Sequence, residues 1–437
     1  MPLHRVPALG FTLYPAQPHL AFAFANSGSI YSGTRRTRPH PTAARYHAAM
    51  RELLDRLDGW RDEQIEFLAR LVNHDSGTDD PIDSNRVGAI LAERLDLLGF
   101  TTRRIPQERF GDHIVGEKSG TGPKRFLFVG HFDTVFPSGT VKHRPFRIDE
   151  RGLAWGPGVY DMKGGLAAVL YALRAHKEAR TRAWAETSVA VVFNSDEERL
   201  SPTSHDLIQA EARRAHSVGI LEPARPGGEY VMARKGAGTF PREVTGKAAH
   251  AGLQPELGAS DIWDLAQKVA ALHALTDFDS GTTVNVGTVR GGERPNVVAD
   301  HAIAEIDLRA WTQEEADRAI ATMREICERV RVPGTTARFW GRVHFPPWPP
   351  GHPGTERLLE IMRAAGRELG VEVTAIKTGG GSDGNHTSAV APTIDGLGPK
   401  GSRAHSAEEF IEVATLLERT KMIAVFLDRW AAGFSIG

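Results

Sequence analysis

Between residues 43 and 73 the apolar positions recur at helical spacing, with Leu53, Leu54, Leu57, Ile65, Leu68, Leu71 and Val72 on one face. A second helix is predicted from Ser84, an N-cap residue type, through Ile90, Leu91, Leu95 and Leu98 to a stop at Gly99. Beyond it the pattern shortens. Residues 126–129, 189–193 and 218–221 are continuous apolar runs bounded by polar segments, as buried strands are, and a small-residue helix is predicted over 164–173. Strands alternating with helices predict an α/β domain whose mainly parallel sheet is covered on both faces.

Near Gly238 the texture changes. Residues 283–289 and 299–308 alternate with period two, and helical patterns accompany them over 261–275 and 313–330. That combination predicts a small α+β unit with an antiparallel sheet, closed by the proline-rich stretch 345–350. The α/β pattern then returns with a helix from Thr355, strands near 371–376 and 392–394, and a final helix from Ala407. The chain is therefore read as one domain (51–237 and 344–437) interrupted by another (238–343). Residues 1–50 have no acidic residue and match neither a Sec nor a twin-arginine signal. They are expected to be a disordered extension of the kind an early start codon adds, with Met50 as the alternative start.

A length of 437 residues is enough for two sizeable cores. A formal net charge of -1 offers no bulk attraction to nucleic acid or to a membrane surface, and no apolar run approaches the roughly 20 residues of a membrane span. Neither nucleic acid nor a membrane is expected as a partner, and a cytoplasmic location is expected. Cys327 is the one cysteine, which rules out an intrachain disulfide and a cysteine-rich metal site. Any metal must then be held by His, Asp and Glu, and 18 His and 54 acidic residues supply candidates.

The candidates sit where predicted strands end, the edge at which open α/β sheets bind ligands. His131 and Asp133 follow the run 126–129, spaced so that in extended chain they share a face and Asp133 can orient the imidazole. Asp161 lies in a glycine-rich turn, 156–165, whose spacing fits neither nucleotide fingerprint and suits a bridging carboxylate better. Asp196, Glu197 and Glu198 follow the run 189–193; adjacent side chains diverge, so one Glu can hold metal while the other handles a proton. Glu222 ends the run 218–221, and His405 precedes the last predicted helix. Each alone reads more simply as a cap or a surface charge. Together His131, Asp161, Glu198, Glu222 and His405 form a sulfur-free set for two Zn²⁺ per subunit, with Co²⁺ or Mn²⁺ as alternatives, leaving a position open for water.

From about residue 60 onward the sequence resembles the M20 family of metallopeptidases, and within it the carboxypeptidase G2-like branch. The likeness rests on GHFDTVFP at 130–137, GPGVYDMKGG at 156–165, DEE at 196–198, LEP at 221–223, GKAAHAG at 246–252, KTGGGSDGN at 377–385 and AHSAEE at 404–409. It implies a phosphorylase/hydrolase-like zinc-peptidase catalytic domain with an inserted α+β, ferredoxin-like domain for dimerisation or as a lid. His131 and Glu222 would hold one zinc, Glu198 and His405 the other, and Asp161 would bridge them across a cis Asp161-Met162 bond. Asp133 would orient His131. Glu197 would be the general base, and His250, often across a homodimer, would polarise the scissile carbonyl. Asn296, Arg342 and the loop containing Gly380 and Gly381 would hold the substrate, a small peptide or N-acyl amino acid. The bulky Trp340, His344 and Trp348 beside Arg342 depart from the pattern and suggest a larger or more aromatic substrate than glutamate alone. The implied activity is an exopeptidase releasing a C-terminal amino acid such as glutamate. An N-acyl-amino-acid amidohydrolase and an inactive binding relative are the alternatives.

Overall fold

A computed structural model describes the backbone of residues 41–433 and the side chains of residues 48–433. The expectation for residues 1–40 lies outside the described residues, and a helix already runs from Pro41 within the segment expected to be disordered. The three apolar runs become the centre of a six-stranded sheet. Its order is Thr101–Ile105, His113–Lys118, Ser188–Asn194, Arg125–His131, Ser217–Ile220, Thr393–Ile394. In this sheet His113–Lys118 runs against the other five strands, so the sheet is mixed.

Period-two alternation explains why these runs carry no polar face. Phe126, Phe128, Val191 and Phe193 point into one core, shared with the helices Gly164–Glu178 and Val413–Ala431. Leu127, Val129, Ala190 and Val192 point into the other, under Ile208 and Ala212 of the helix His205–Arg213. The helix after the glycine-rich turn lies so close to the sheet that a Cβ at Gly165 would stand 1.9 Å from the Leu221 carbonyl oxygen. Only glycine permits that approach.

Several predicted boundaries move; the strand expected near 371–376 is Ala375–Thr378 and the helix expected over 164–173 is Gly164–Glu178. The first long helix is two, Pro41–Gly59 and Arg61–Val72, separated at Trp60. The next is capped by Asp80, not Ser84: the Asp80 carboxylate accepts N–H bonds from Ile82 and Asp83, and Pro81 opens the helix. Ser84 is buried and donates to the Gly77 carbonyl. The last helix begins at Val413, not Ala407, because residues 410–412 form a strand on Leu153–Trp155.

Residues 236–345 form a second, antiparallel sheet in the order Thr283–Gly291, His301–Ala310, Gly236–Thr245, Thr336–Phe339, with Arg342–Phe345 also on Gly236–Thr245. The helices Asp261–His273 and Gln313–Glu328 cover it through Leu272, Ala316, Met323 and Cys327. Under the first of these helices Asp264 accepts from Arg242 and Lys268 at 2.6 and 2.5 Å, a buried ionic triad. Asp261, three residues earlier, is fully buried, and burial with Asp300 nearby lifts its carboxyl to about 6 against the lowering effect of the Gly246 N–H.

A carboxyl raised above its unfolded value near 3.9 favours folding in its neutral form. That contribution is complete at acid pH and is lost as pH rises through about 6. Asp261→Asn is therefore expected to melt higher than wild type at pH 8, with the advantage gone by about pH 4. Thermal unfolding at the two pH values checks this, and an equal shift at both would sink it.

Candidate metal centre

Parallel strands deliver their C-terminal ends to one edge, and the acidic and imidazole groups meet there. His131 ends its strand, Glu197 and Glu198 follow Ser188–Asn194, and Glu222 follows Ser217–Ile220. The His131 Nε2 lies 3.2 Å from Asp161 Oδ1, 3.6 Å from Glu222 Oε1 and 4.0 Å from Glu197 Oε2. The other oxygen of Asp161 faces a second group: Asp161 Oδ2 is 3.3 Å from His405 Nε2, which is 3.1 Å from Glu198 Oε2. One carboxylate thus divides its oxygens between two sets of donors. The turn bearing it contains the expected cis Asp161-Met162 bond.

The run 196–198 sends its three carboxylates to three places. Asp196 accepts from the backbone N–H and hydroxyl of both Thr203 and Ser204, so it anchors the following chain. Glu197 turns to His131 and Glu198 to His405. Asp133 organises this turn, accepting from the N–H of Glu197 and Glu198 and from the Thr78 hydroxyl. Its own backbone carbonyl is 3.0 Å from His131 Nδ1 and its carboxylate 3.4 Å, so both parts of the residue hold that ring. With Nδ1 engaged, Nε2 is left for a metal.

The electrostatics describe a crowd that wants positive charge. Burial opposes charge on His131, yet Asp133, Asp161 and Glu222 hold it well above the ordinary imidazole value. Asp161 and Glu198 raise His405 to about 10. Burial pushes Glu198 up to about 7, and pushes Glu197 well above its ordinary range with Glu222, Asp383 and Glu198 adding to it. Carboxylates crowded in this way are balanced by bound cations. Two imidazole nitrogens and carboxylate oxygens, without sulfur, suit borderline divalent ions, and the split Asp161 suits two of them.

The remaining predicted residues lie elsewhere. His250 and Asn296 neighbour each other, with the Ala251 N–H donating to the Asn296 carbonyl at 3.0 Å. His250 Nδ1 accepts from the N–H of Gly252 and Leu253, which puts the ring proton on Nε2, and the ring is exposed. Arg342 is exposed on its strand. Among the described residues no hydrogen bond or ion pair joins His250, Asn296 or Arg342 to the metal-centre residues. Trp348 is core, 1% exposed and paired through its backbone with Arg234, so it cannot widen a substrate pocket.

Gly380 and Gly381 turn their carbonyls to the buried Arg234, which also pairs with Asp395 at 2.7 Å. Sequence reasoning passed over Arg234, and also Glu409, whose carboxylate collects three amides of the Asp161 turn. The signal for Glu409 was its place in AHSAEE, four residues past His405.

Comparison with known proteins gives the family and the fold. The family described as peptidase family M20/M25/M40 matches residues 127–429. Carboxypeptidase G2 of Pseudomonas sp. (strain RS-16) is 33% identical over 383 residues, covering 85% of this chain and 91% of that protein. Succinyl-diaminopimelate desuccinylase of Bordetella parapertussis is 27% identical over 374 residues, 80% of this chain and 94% of that one. Among solved structures, a tripeptidase from Staphylococcus aureus superposes with a TM-score of 0.72 at 23% identity, over 85% of this chain and 99% of the other. A dinuclear metal-binding M20 peptidase from Bacillus subtilis gives 0.63 at 14%, over 86% and 100%.

Proposed function

Because the chain belongs to the M20/M25/M40 peptidase family, we propose that it is a two-metal hydrolase that cuts an amide bond next to a free carboxylate and releases a C-terminal amino acid. The observation that carries this reading is Asp161, with one oxygen toward His131 and the other toward His405. His131, Asp161 and Glu222 would hold one ion, and Asp161, Glu198 and His405 the other. Two Zn²⁺, or Co²⁺ or Mn²⁺ in their place, would when bound supply Lewis-acid chemistry, polarising a carbonyl and acidifying a water.

The chain's own groups do the rest. Glu197, buried and 4.0 Å from His131 Nε2, takes a proton from the attacking water and returns it to the leaving nitrogen as the C–N bond breaks. His250 donates from Nε2 to the oxygen that becomes negative. Asn296, Arg342 and the Gly380–Gly381 loop hold the substrate, Arg342 by paired bonds to its carboxylate. Lys235 and Lys377 support an acidic residue such as glutamate at the released end. Their ammonium groups stand 5.6 and 5.1 Å from the Trp311 ring beside that loop, and among the described residues neither has an ion-pair partner.

His250 must reach the centre from elsewhere, and the inserted sheet suggests how. Leu253, Leu257, Ile262, Trp263, Val289 and Val297 are exposed apolar residues within one stretch of that insertion, and Thr283–Gly291 is an edge strand. A homodimer joined there covers both and can bring each His250 to its partner. Trp263→Glu combined with Val289→Glu is expected to give monomers in sedimentation. A wild-type chain that sediments as a monomer would remove the dimer.

The desuccinylase likeness keeps N-acyl-amino-acid hydrolysis as the second reading. A panel of dipeptides, C-terminal glutamate conjugates and N-acyl amino acids, assayed with zinc and with chelator, separates the two by what is released. If the metal-loaded protein cleaves no member, the hydrolase reading fails for these classes.

A further inference from the structure

Glu409 has no part in the reaction described above, yet it is 2% exposed and lies against the centre. Its carboxylate accepts backbone N–H bonds from Gly158, Tyr160 and Asp161 at 3.0, 2.8 and 2.9 Å. Those donors belong to one turn, the turn whose last member offers the divided carboxylate. Gly158 sits at a φ of 72°, where a Cβ would meet the Thr134 side chain at 2.6 Å, so the turn has little freedom to reshape. At its other end Tyr160 donates its hydroxyl to the Ala224 carbonyl, two residues beyond Glu222. Glu409 itself follows His405 by four residues and directly precedes the short strand Phe410–Glu412 on Leu153–Trp155. The turn is therefore held between the segments that carry the other ligands.

We propose that Glu409 is the positioning residue of the bridging ligand. Its carboxylate fixes the backbone of the 158–161 turn, and so sets where Asp161 places its two oxygens relative to His131 and His405. The inference rests on the metal-centre reading above and adds to it an outer residue that touches neither metal nor substrate.

The need for a carboxylate is geometric. Three amides converge on two oxygens that have only lone pairs to offer. A glutamine keeps the length but replaces one oxygen with an NH₂, which must then face either Gly158 N–H or the Tyr160 and Asp161 pair, donor against donor. The turn would shift to relieve that clash and take Asp161 with it. Outer partners of metal ligands typically carry about 10- to 100-fold in metal affinity, and that is the effect expected here.

The test reads metal, not turnover. Zinc retained by the full-length protein is titrated against a competing chelator for wild type, Glu409→Gln and Glu409→Asp, with the exposed Glu412→Gln as control. The expected result is a 10- to 100-fold loss of zinc affinity in Glu409→Gln, partial recovery in Glu409→Asp, no change in the control, and metal-free melting temperatures close to wild type. Wild-type zinc affinity in a folded Glu409→Gln overturns the proposal, as does a lowered metal-free melting temperature with unchanged affinity, since that describes a purely structural residue.

Should Glu409→Gln not fold, amide exchange in unaltered metal-free protein decides. Slow exchange at residues 158, 160 and 161 is required, and fast exchange overturns the clamp. Neither readout involves a substrate, so an error about what the enzyme cleaves leaves them interpretable. Failure of wild type to bind zinc at all would instead strike the metal-centre reading.

Discussion

Glu197→Gln is expected to lower kcat/KM by about 10²- to 10⁴-fold while leaving the metal content of the protein at the wild-type value. The reason lies in how two buried glutamates share one histidine. Glu222 Oε1 is 3.6 Å from His131 Nε2 and Glu197 Oε2 is 4.0 Å, so distance alone hardly separates a ligand from a base. Their surroundings separate them. Burial raises both carboxyls, but Glu222 is drawn back by its bond to His131 and by Arg234, whereas Glu197 is pushed well above its ordinary range by burial, Glu222, Asp383 and Glu198, with His131 opposing. A group so placed takes and returns a proton readily, which is what amide hydrolysis asks of it.

Glutamine keeps the shape and cannot accept the proton. Zinc analysis beside steady-state kinetics checks the outcome, with Glu222→Gln as the counterpart expected to lose metal. If Glu197→Gln loses metal and Glu222→Gln keeps it while losing rate, the two roles are exchanged. If Glu197→Gln keeps a tenth of the wild-type activity, the base is another group.

The parallel strands were the legible part of the chain. Continuous apolar runs end abruptly in His131, in Asp196–Glu198 and in Glu222, and parallel pairing carries all of these ends to one edge. Their convergence follows from topology once the runs are read as buried strands. What periodicity could not show was the direction of individual side chains in irregular segments. Three consecutive carboxylates at 196–198 look alike in sequence, and only the turn before the helix His205–Arg213 determines that Asp196 faces the chain and not the centre. The segment after His405 reads as a helix start because Ala, Glu and Glu favour one. The structure spends it on a buried Glu409 and a short strand, because the amides of the 158–161 turn need an acceptor. Ser84 lost the cap for a related reason: Asp80 stands directly before Pro81, and proline suits the first helical position.

Asp161→Asn is expected to abolish stable binding of both metals, a larger loss than the roughly 10- to 100-fold typical of outer-shell changes. Each set of donors depends on one oxygen of this carboxylate, Oδ1 beside His131 and Oδ2 beside His405. The amide presents a nitrogen at one of those two places and carries no charge at either. In wild type the two sets should not release metal together. His131 is 1% exposed in its side chain and braced by Asp133, whereas His405 is 54% exposed and sits at a φ of 63° on an irregular loop. Chelator titration of wild type should therefore remove one ion before the other, in two steps. In Asp161→Asn both steps should collapse to low chelator concentration, and the melting temperature should become independent of added zinc, since a ligand that no longer binds the folded state no longer stabilises it. Retention of two ions per chain by folded Asp161→Asn would show that the two sets of donors bind independently, and the bridge would have to be given up.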